Sequence, residues 1–133
     1  MMKNFKLRIL TNDSNVFEGE VVKLFTEDSD GKFEILANHS SLITMIIPCK
    51  TRFQSENGEE KILFISKGIL KIHNKEVEIL CESSEFKEEI DKDRAKKAKE
   101  RAEKRLTEKS EDIDIKRAKA ALLRAEIRLS ISE

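Results

Sequence analysis

The chain lacks tryptophan and tyrosine altogether, and in 133 residues it has one proline, four glycines and two cysteines. Cys49 and Cys81 each stand alone in an apolar stretch, which excludes a disulfide framework and reads as two buried reduced thiols of a cytosolic protein. The few glycines leave no G-x-x-x-x-G-K-[ST] loop, and Ser66-Lys67-Gly68 runs in the wrong order to cradle a phosphate. His39 and His73 are isolated. No C-x-x-C or H-x-x-x-H spacing exists to hold a metal, and neither histidine joins a Ser or Cys and a carboxylate in a nucleophile-and-base motif. Catalysis by this chain alone is therefore not expected, nor any required metal or cofactor. No apolar run approaches the ~20 residues of a spanning helix. The opening segment, in which Phe5, Leu7 and Ile9 alternate with Lys6 and Arg8, is too alternating for a signal peptide. A soluble chain that meets a membrane only through a partner is expected. A charge excess is missing too: charged residues are 39% of the chain, yet Lys+Arg and Asp+Glu balance at 26 each. A generic nucleic-acid binder shows a basic excess instead.

What the chain does have changes character near residue 86. Up to Cys81 the apolar residues recur with period two or in short runs, which places them on one face of a strand. Beyond the opening strand, the candidates are Val16–Phe25, Phe33–Leu36, Leu42–Ile47, Thr51–Gln54, Lys61–Ser66, Ile69–Ile72 and Val77–Cys81. Polar turn clusters separate them at Asn12–Asn15, Asp28–Gly31, Glu56–Glu59 and His73–Lys75. Asn57-Gly58 is the strongest turn signal, because a tight hairpin needs positive φ at both central positions. Pro48 is expected to end the strand before it. Many short strands at this spacing predict a sandwich or flattened barrel.

After Phe86 glycine, proline and aromatics vanish, and the helix formers Ala, Lys, Arg and Glu take over. Ala95, Ala98, Ala102 and Leu106 mark one helix face, and Ala118, Leu122, Ala125 and Leu129 another. The polar connector Thr107–Asp112 is short enough for an antiparallel helical hairpin. Ile90-Asp91-Lys92-Asp93-Arg94-Ala95-Lys96 is echoed by Ile113-Asp114-Ile115-Lys116-Arg117-Ala118-Lys119. Both read as helix starts, with Asp91 and Asp114 as N-caps and each preceding Ile folding back on the first turn.

An alanine seam holds weakly. Each buried methyl-sized group contributes about 0.8 kcal/mol, while ordering a residue costs on the order of 1–2 kcal/mol in backbone entropy. The hairpin is either close to balance and easily peeled away, or thin and permanently docked; composition alone leaves both open. Arg94 and Arg101 lie two turns apart, about 10 Å, and Arg124 and Arg128 form an i, i+4 pair on the second helix. The hairpin either brings these guanidinium forks around one polyphosphate, or they are solvated partners of Glu85, Glu89, Glu100 and Glu126.

The order of a β-rich half, then I-D-x-x-R-A-K-x-A-x-x-R-A-x-x-R-L over Ile90–Leu106, then D-I-D-x-x-R-A over Asp112–Ala118, resembles the epsilon subunit of bacterial F-type ATP synthases. Val16-Phe17-Glu18-Gly19-Glu20-Val21, the segment Asp30–His39 and Ser66-Lys67-Gly68-Ile69-Leu70 carry the likeness through the first half. Two departures stand out. The family often has Gly-Ile-Leu-Pro-Gly-His where this chain has Glu34-Ile35-Leu36-Ala37-Asn38-His39, and Ser-Gly-Gly-Phe where it reads Ser66-Lys67-Gly68-Ile69.

The resemblance implies an α+β fold: an N-terminal antiparallel β-sandwich of about ten strands over residues 1–86, then a C-terminal two-helix antiparallel hairpin over 87–133. It implies a non-catalytic central-stalk subunit at the cytoplasmic face of the plasma membrane. Its partners would be the gamma subunit, the ring of c subunits and the catalytic beta and alpha subunits. The sandwich would dock on gamma and the ring, with Gly31, Lys32 and His39 in a ring-facing loop. The hairpin would restrain ATP hydrolysis when extended, Lys116, Arg117, Lys119, Arg124 and Arg128 meeting an acidic segment of a catalytic subunit. Some members bind ATP at the compact hairpin; by position the candidates are Glu85, Ile90, Asp91, Arg94, Ala95, Arg101, Arg124 and Arg128. An alternative class is a nucleic-acid-binding adaptor using the lysine-rich first helix. Against it stands the lack of aromatic stacking platforms on either helix.

Overall fold

Alternation builds the sandwich strand by strand. In β1 (Phe5–Leu10) the side chains of Phe5, Leu7 and Ile9 are buried and those between them are half-buried. It is followed by β2 (Asn15–Val21), β3 (Lys23–Asp28), β4 (Gly31–Ile35), β5 (Leu42–Ile46), β6 (Cys49–Gln54), β7 (Glu60–Ile65), β8 (Gly68–His73), β9 (Glu76–Cys81) and β10 (Ser84–Phe86). A 3-10 turn over Lys87–Glu89 leads into α1 (Lys92–Thr107), and α2 (Asp112–Ser132) ends the chain. The computed structural model describes residues 3–108 and 112–133.

The strands join in the order β10-β7-β6-β3-β5-β8-β9-β1-β2, with β4 added alongside β3. Every pairing is antiparallel except β1 with β9, which is parallel. The sheet curls so that inward side chains of both halves meet in one core. Leu24, Phe53, Leu63 and Ile65 come from one half, and Leu7, Ile46, Leu70 and Ile79 from the other. Among the described residues no helix residue belongs to that core.

Three details differ from the sequence pattern. The run Val16–Phe25 is two strands, not one. Val21 and Val22 are both buried, and consecutive side chains cannot share one face of a regular strand. The chain turns there from pairing with β1 to pairing with β6, marked by Val22 N–H donating to Gln54 O at 2.8 Å. The two-residue turn with positive φ at both positions is at Asn74-Lys75, with φ 51° and 63°, rather than at Asn57-Gly58, where only Gly58 is positive. Five residues link β6 to β7, and Asn57 Oδ1 accepts from Glu59 N–H at 2.9 Å, an Asx turn replacing the tight one. The third difference is β10, three residues long and too short for periodicity to reveal. Gly68, kept where the family pattern has its second glycine, fills a backbone need: a Cβ there would sit 2.5 Å from Leu80 O.

Asp91 is the N-cap of α1, its carboxylate accepting from Arg94 N–H at 3.0 Å. Asp114 is not a cap. The second helix begins two residues earlier, at Asp112, so Asp114 lies in the first turn and acts only on the helix dipole. The side chain of Ile113 and residues 109–111 of the connector lie outside the described residues. Ala95, Ala102, Ala118 and Ala125 are buried, as expected of a seam, while Ala98, Leu106, Leu122 and Leu129 are half-buried. The hairpin rests on the outer faces of β6 and β7 through α2.

Candidate functional site

The hairpin gathers some of its arginines and leaves others in water. Asp91, Arg94 and Arg101 are exposed along α1, Ile90 is half-buried before it, and Ala95 is buried against α2. Asp91 spends one carboxylate oxygen on its capping bond, which leaves the other free to accept. Arg124 and Arg128 are half-buried on α2. Of the carboxylates weighed as partners, one is engaged: Arg128 Nε donates to Glu85 Oε1 at 2.5 Å, and its guanidinium lies 4.3 Å from the centroid of the Phe64 ring. Glu89 instead accepts from Phe86 N–H at 3.0 Å, closing the 3-10 turn. Arg94, Arg101 and Arg124 enter none of the ion pairs found among the described residues.

The basic set of α2 divides by helix face. Lys116, Arg117 and Lys119 are exposed, whereas Arg128 turns toward the sandwich. Beside α2, Leu123, Glu126, Ile127 and Ser130 form one wall of a cleft of about 960 Å³ whose floor includes Phe25 and Arg52.

The loop residues sit at two places. Gly31 opens β4 with φ 128° and nothing near its missing Cβ. Lys32 follows it, exposed. His39 lies in the turn after β4, exposed, with Nδ1 donating to Ser40 O at 2.9 Å. The strand separates Gly31 and Lys32 from His39. A mostly apolar hollow of about 460 Å³ beside His39 is lined by Val22, Leu36 and Ala37 among others.

One surface escaped the sequence reading. Met45, Ile69, Leu80 and Leu10 stand in register across β5, β8, β9 and β1. All four point away from the core. Met45 is 64% exposed, Ile69 46% and Leu80 43%, and Ile43, one step along β5, is 70% exposed. Beside this row runs a charged one, Lys71, Glu78 and Arg8, in which Arg8 and Glu78 form an ion pair. An outer sheet face is normally polar, so a contiguous apolar row is a contact surface. The run Leu42–Ile47, apolar at every position but Thr44, was the available signal, since a half-buried strand should alternate.

The remaining reactive groups are locked in the core. Cys49 Sγ lies within hydrogen-bonding distance of Thr26 Oγ1 and Thr51 Oγ1. Burial pushes the Cys81 thiol up from its ordinary value, and a hydrogen bond with Ser84 opposes this. Among the described residues no group of His, Cys, Asp or Glu is arranged to hold a metal, and no helix is long and apolar enough to cross a membrane.

A ten-stranded sandwich with an apolar outer face, carrying a basic helical hairpin, is built for contact: it belongs to the class of docking subunits. Comparison with known proteins names the family. Residues 4–87 match the ATP synthase, Delta/Epsilon chain, beta-sandwich domain, and residues 88–133 match the long alpha-helix domain of the same chain. The ATP synthase epsilon chain of Clostridium novyi is 51% identical over 109 residues, covering 82% of this chain and 83% of that one. That of Clostridium acetobutylicum is 43% identical over 106 residues, or 80% of each. In structure the chain resembles a component of the Euglena gracilis mitochondrial ATP synthase OSCP/F1/c-ring assembly, with a TM-score of 0.87 at 20% identity, over 100% of this chain and 84% of that one. It also resembles one from the Tetrahymena thermophila central stalk and c-ring, with a TM-score of 0.73 at 9% identity, over 99% and 98%. At such identities these likenesses concern the fold. The chain belongs to the ATP synthase delta/epsilon family as an epsilon chain, a non-catalytic subunit of that complex.

Proposed function

We propose that this epsilon chain works in the central stalk of a bacterial F-type ATP synthase, coupling ion translocation to ATP synthesis and restraining ATP hydrolysis through a mobile hairpin. The sandwich, residues 1–86, docks on the gamma subunit and on the ring of c subunits, at the cytoplasmic face of the plasma membrane. Residues 87–133 regulate, meeting the catalytic alpha and beta subunits when extended. The observation that carries this reading is the division of labour between two outer faces. One bears the exposed apolar row of Met45, Ile69 and Leu80 and needs a permanent partner. The other is covered by a hairpin that, among the described residues, shares none with the core and whose seam is alanine. In the compact form Lys116, Arg117 and Lys119 already face water, ready for an acidic partner. Lys32 and His39 are exposed at the two ends of β4, with Gly31 half-buried beside Lys32, as contacts to the ring require. Deleting the chain from Glu89 onward in the assembled synthase should leave assembly intact and raise ATPase activity. Unchanged hydrolysis would remove the inhibitory role.

ATP is the regulatory ligand in this reading. Arg94, Arg101 and Arg124 would hold its phosphates, Asp91 would accept from the adenine amino group or orient Arg94, and Glu85, Ile90, Ala95 and Arg128 would complete the site. No ion pair occupies Arg94, Arg101 or Arg124 among the described residues, which leaves them open to an anion. Millimolar ATP should slow hydrogen exchange in the hairpin, and Arg94→Ala should abolish the effect; no slowing in the unaltered chain would remove ATP from the account.

A further inference from the structure

Phe64 is fully buried yet stands outside the sandwich core. Strand alternation accounts for this: Leu63 and Ile65 point inward, so Phe64 points out of the sheet. Its in-register neighbours there are Lys50 of β6 and Glu85 of β10, and charged neighbours do not by themselves hide a ring. The hairpin does. Arg128 lays its guanidinium over the ring while its Nε donates to Glu85. Among the described residues this is the one ion pair joining helices to sandwich, and its side chains are less exposed than those of any other pair.

We propose that Glu85, Arg128 and Phe64 form the latch that sets how often the hairpin leaves the sandwich. The proposal rests on the mobile-hairpin reading above and adds where its control lies. The alanine seam holds the two helices to each other; the latch ties the pair to the sheet, beside the buried Ile131 one turn further along α2. Only a planar guanidinium stacks on a ring and donates at its edge at once. Partial burial shields the pair from salt screening. On release three penalties fall together: the ring meets water, the stacking is lost, and Glu85 loses its partner. An acidic protein segment that takes Arg128 must first displace Glu85, so the latch couples release to the docking of such a partner.

Amide hydrogen exchange of the full chain tests this, comparing the unaltered protein with Glu85→Gln, Arg128→Lys and Phe64→Leu. Lys67→Gln, which breaks the exposed Lys67–Glu82 pair, serves as control. The latch predicts exchange about three- to ten-fold faster in α1 and α2 for the three variants, with β1, β8 and β9 amides and the control unchanged. Glu85→Gln and Arg128→Lys are decisive, since neither touches the core. Hairpin exchange at the unaltered rate in both would overturn the latch and leave the mobile hairpin standing, as would equal acceleration of sandwich and hairpin. If the unaltered hairpin exchanges no faster than the sandwich core, the mobile reading itself falls and the latch with it.

Discussion

At the scale of single residues, the thiols show how position decides chemistry. Cys81 is buried, and burial favours its neutral form. The folded chain therefore holds that proton more tightly than the unfolded chain. The associated stability is fully present below the ordinary thiol value of 9.0 and is lost as pH rises through the higher folded value. Urea denaturation of the unaltered chain should show stability falling above about pH 9, and Cys81→Ala should flatten that fall. A slope identical in both proteins would assign the loss to other groups. Asn57 teaches a related lesson. Its dipeptide with Gly58 has the composition of a tight turn, but the register of β6 and β7 leaves a five-residue gap there, and the turn with two positive φ angles is at Asn74-Lys75.

At the scale of elements, the helices were legible from spacing because each buries one narrow stripe that recurs every three or four residues. The seam alanines and the Asp91 cap lie where that spacing puts them. Asp91→Ala should cost about 1 kcal/mol. The loss should appear as faster exchange in the first turn of α1 and leave β1 to β9 unaffected; an effect spread evenly over the chain would contradict a local cap. Strand positions were legible for the same reason, with period two in place of 3.6. Where both faces of a strand are apolar, as in β5, period fails. The inward Ile46 and the outward Ile43 and Met45 look alike until the sheet assigns a face to each. The candidate site was readable only as a set of residue types. The ion pairing of Arg128 with Glu85, and the stacking on Phe64, join residues far apart in sequence and so leave no local signal.

At the scale of the whole molecule, the apolar row proposed for docking and the hairpin proposed for switching lie on different outer faces of one sandwich. Substitution on the docking face should therefore separate assembly from folding. Ile69→Glu, at a position 46% exposed, should change stability by less than about 0.5 kcal/mol while sharply reducing incorporation into the synthase, measured by co-purification with the other subunits. Normal incorporation would place the contact elsewhere on the sandwich. Periodicity and composition by themselves determined a strand-built half, a helical half and the change between them near Phe86, because each element buries its own stripe and the stripe is written locally. Tertiary structure alone decided which strands pair, that β1 lies parallel to β9, which apolar side chains face water, and which arginine pairs with the sandwich. Those outcomes depend on contacts between distant segments, and no short window of sequence contains both partners.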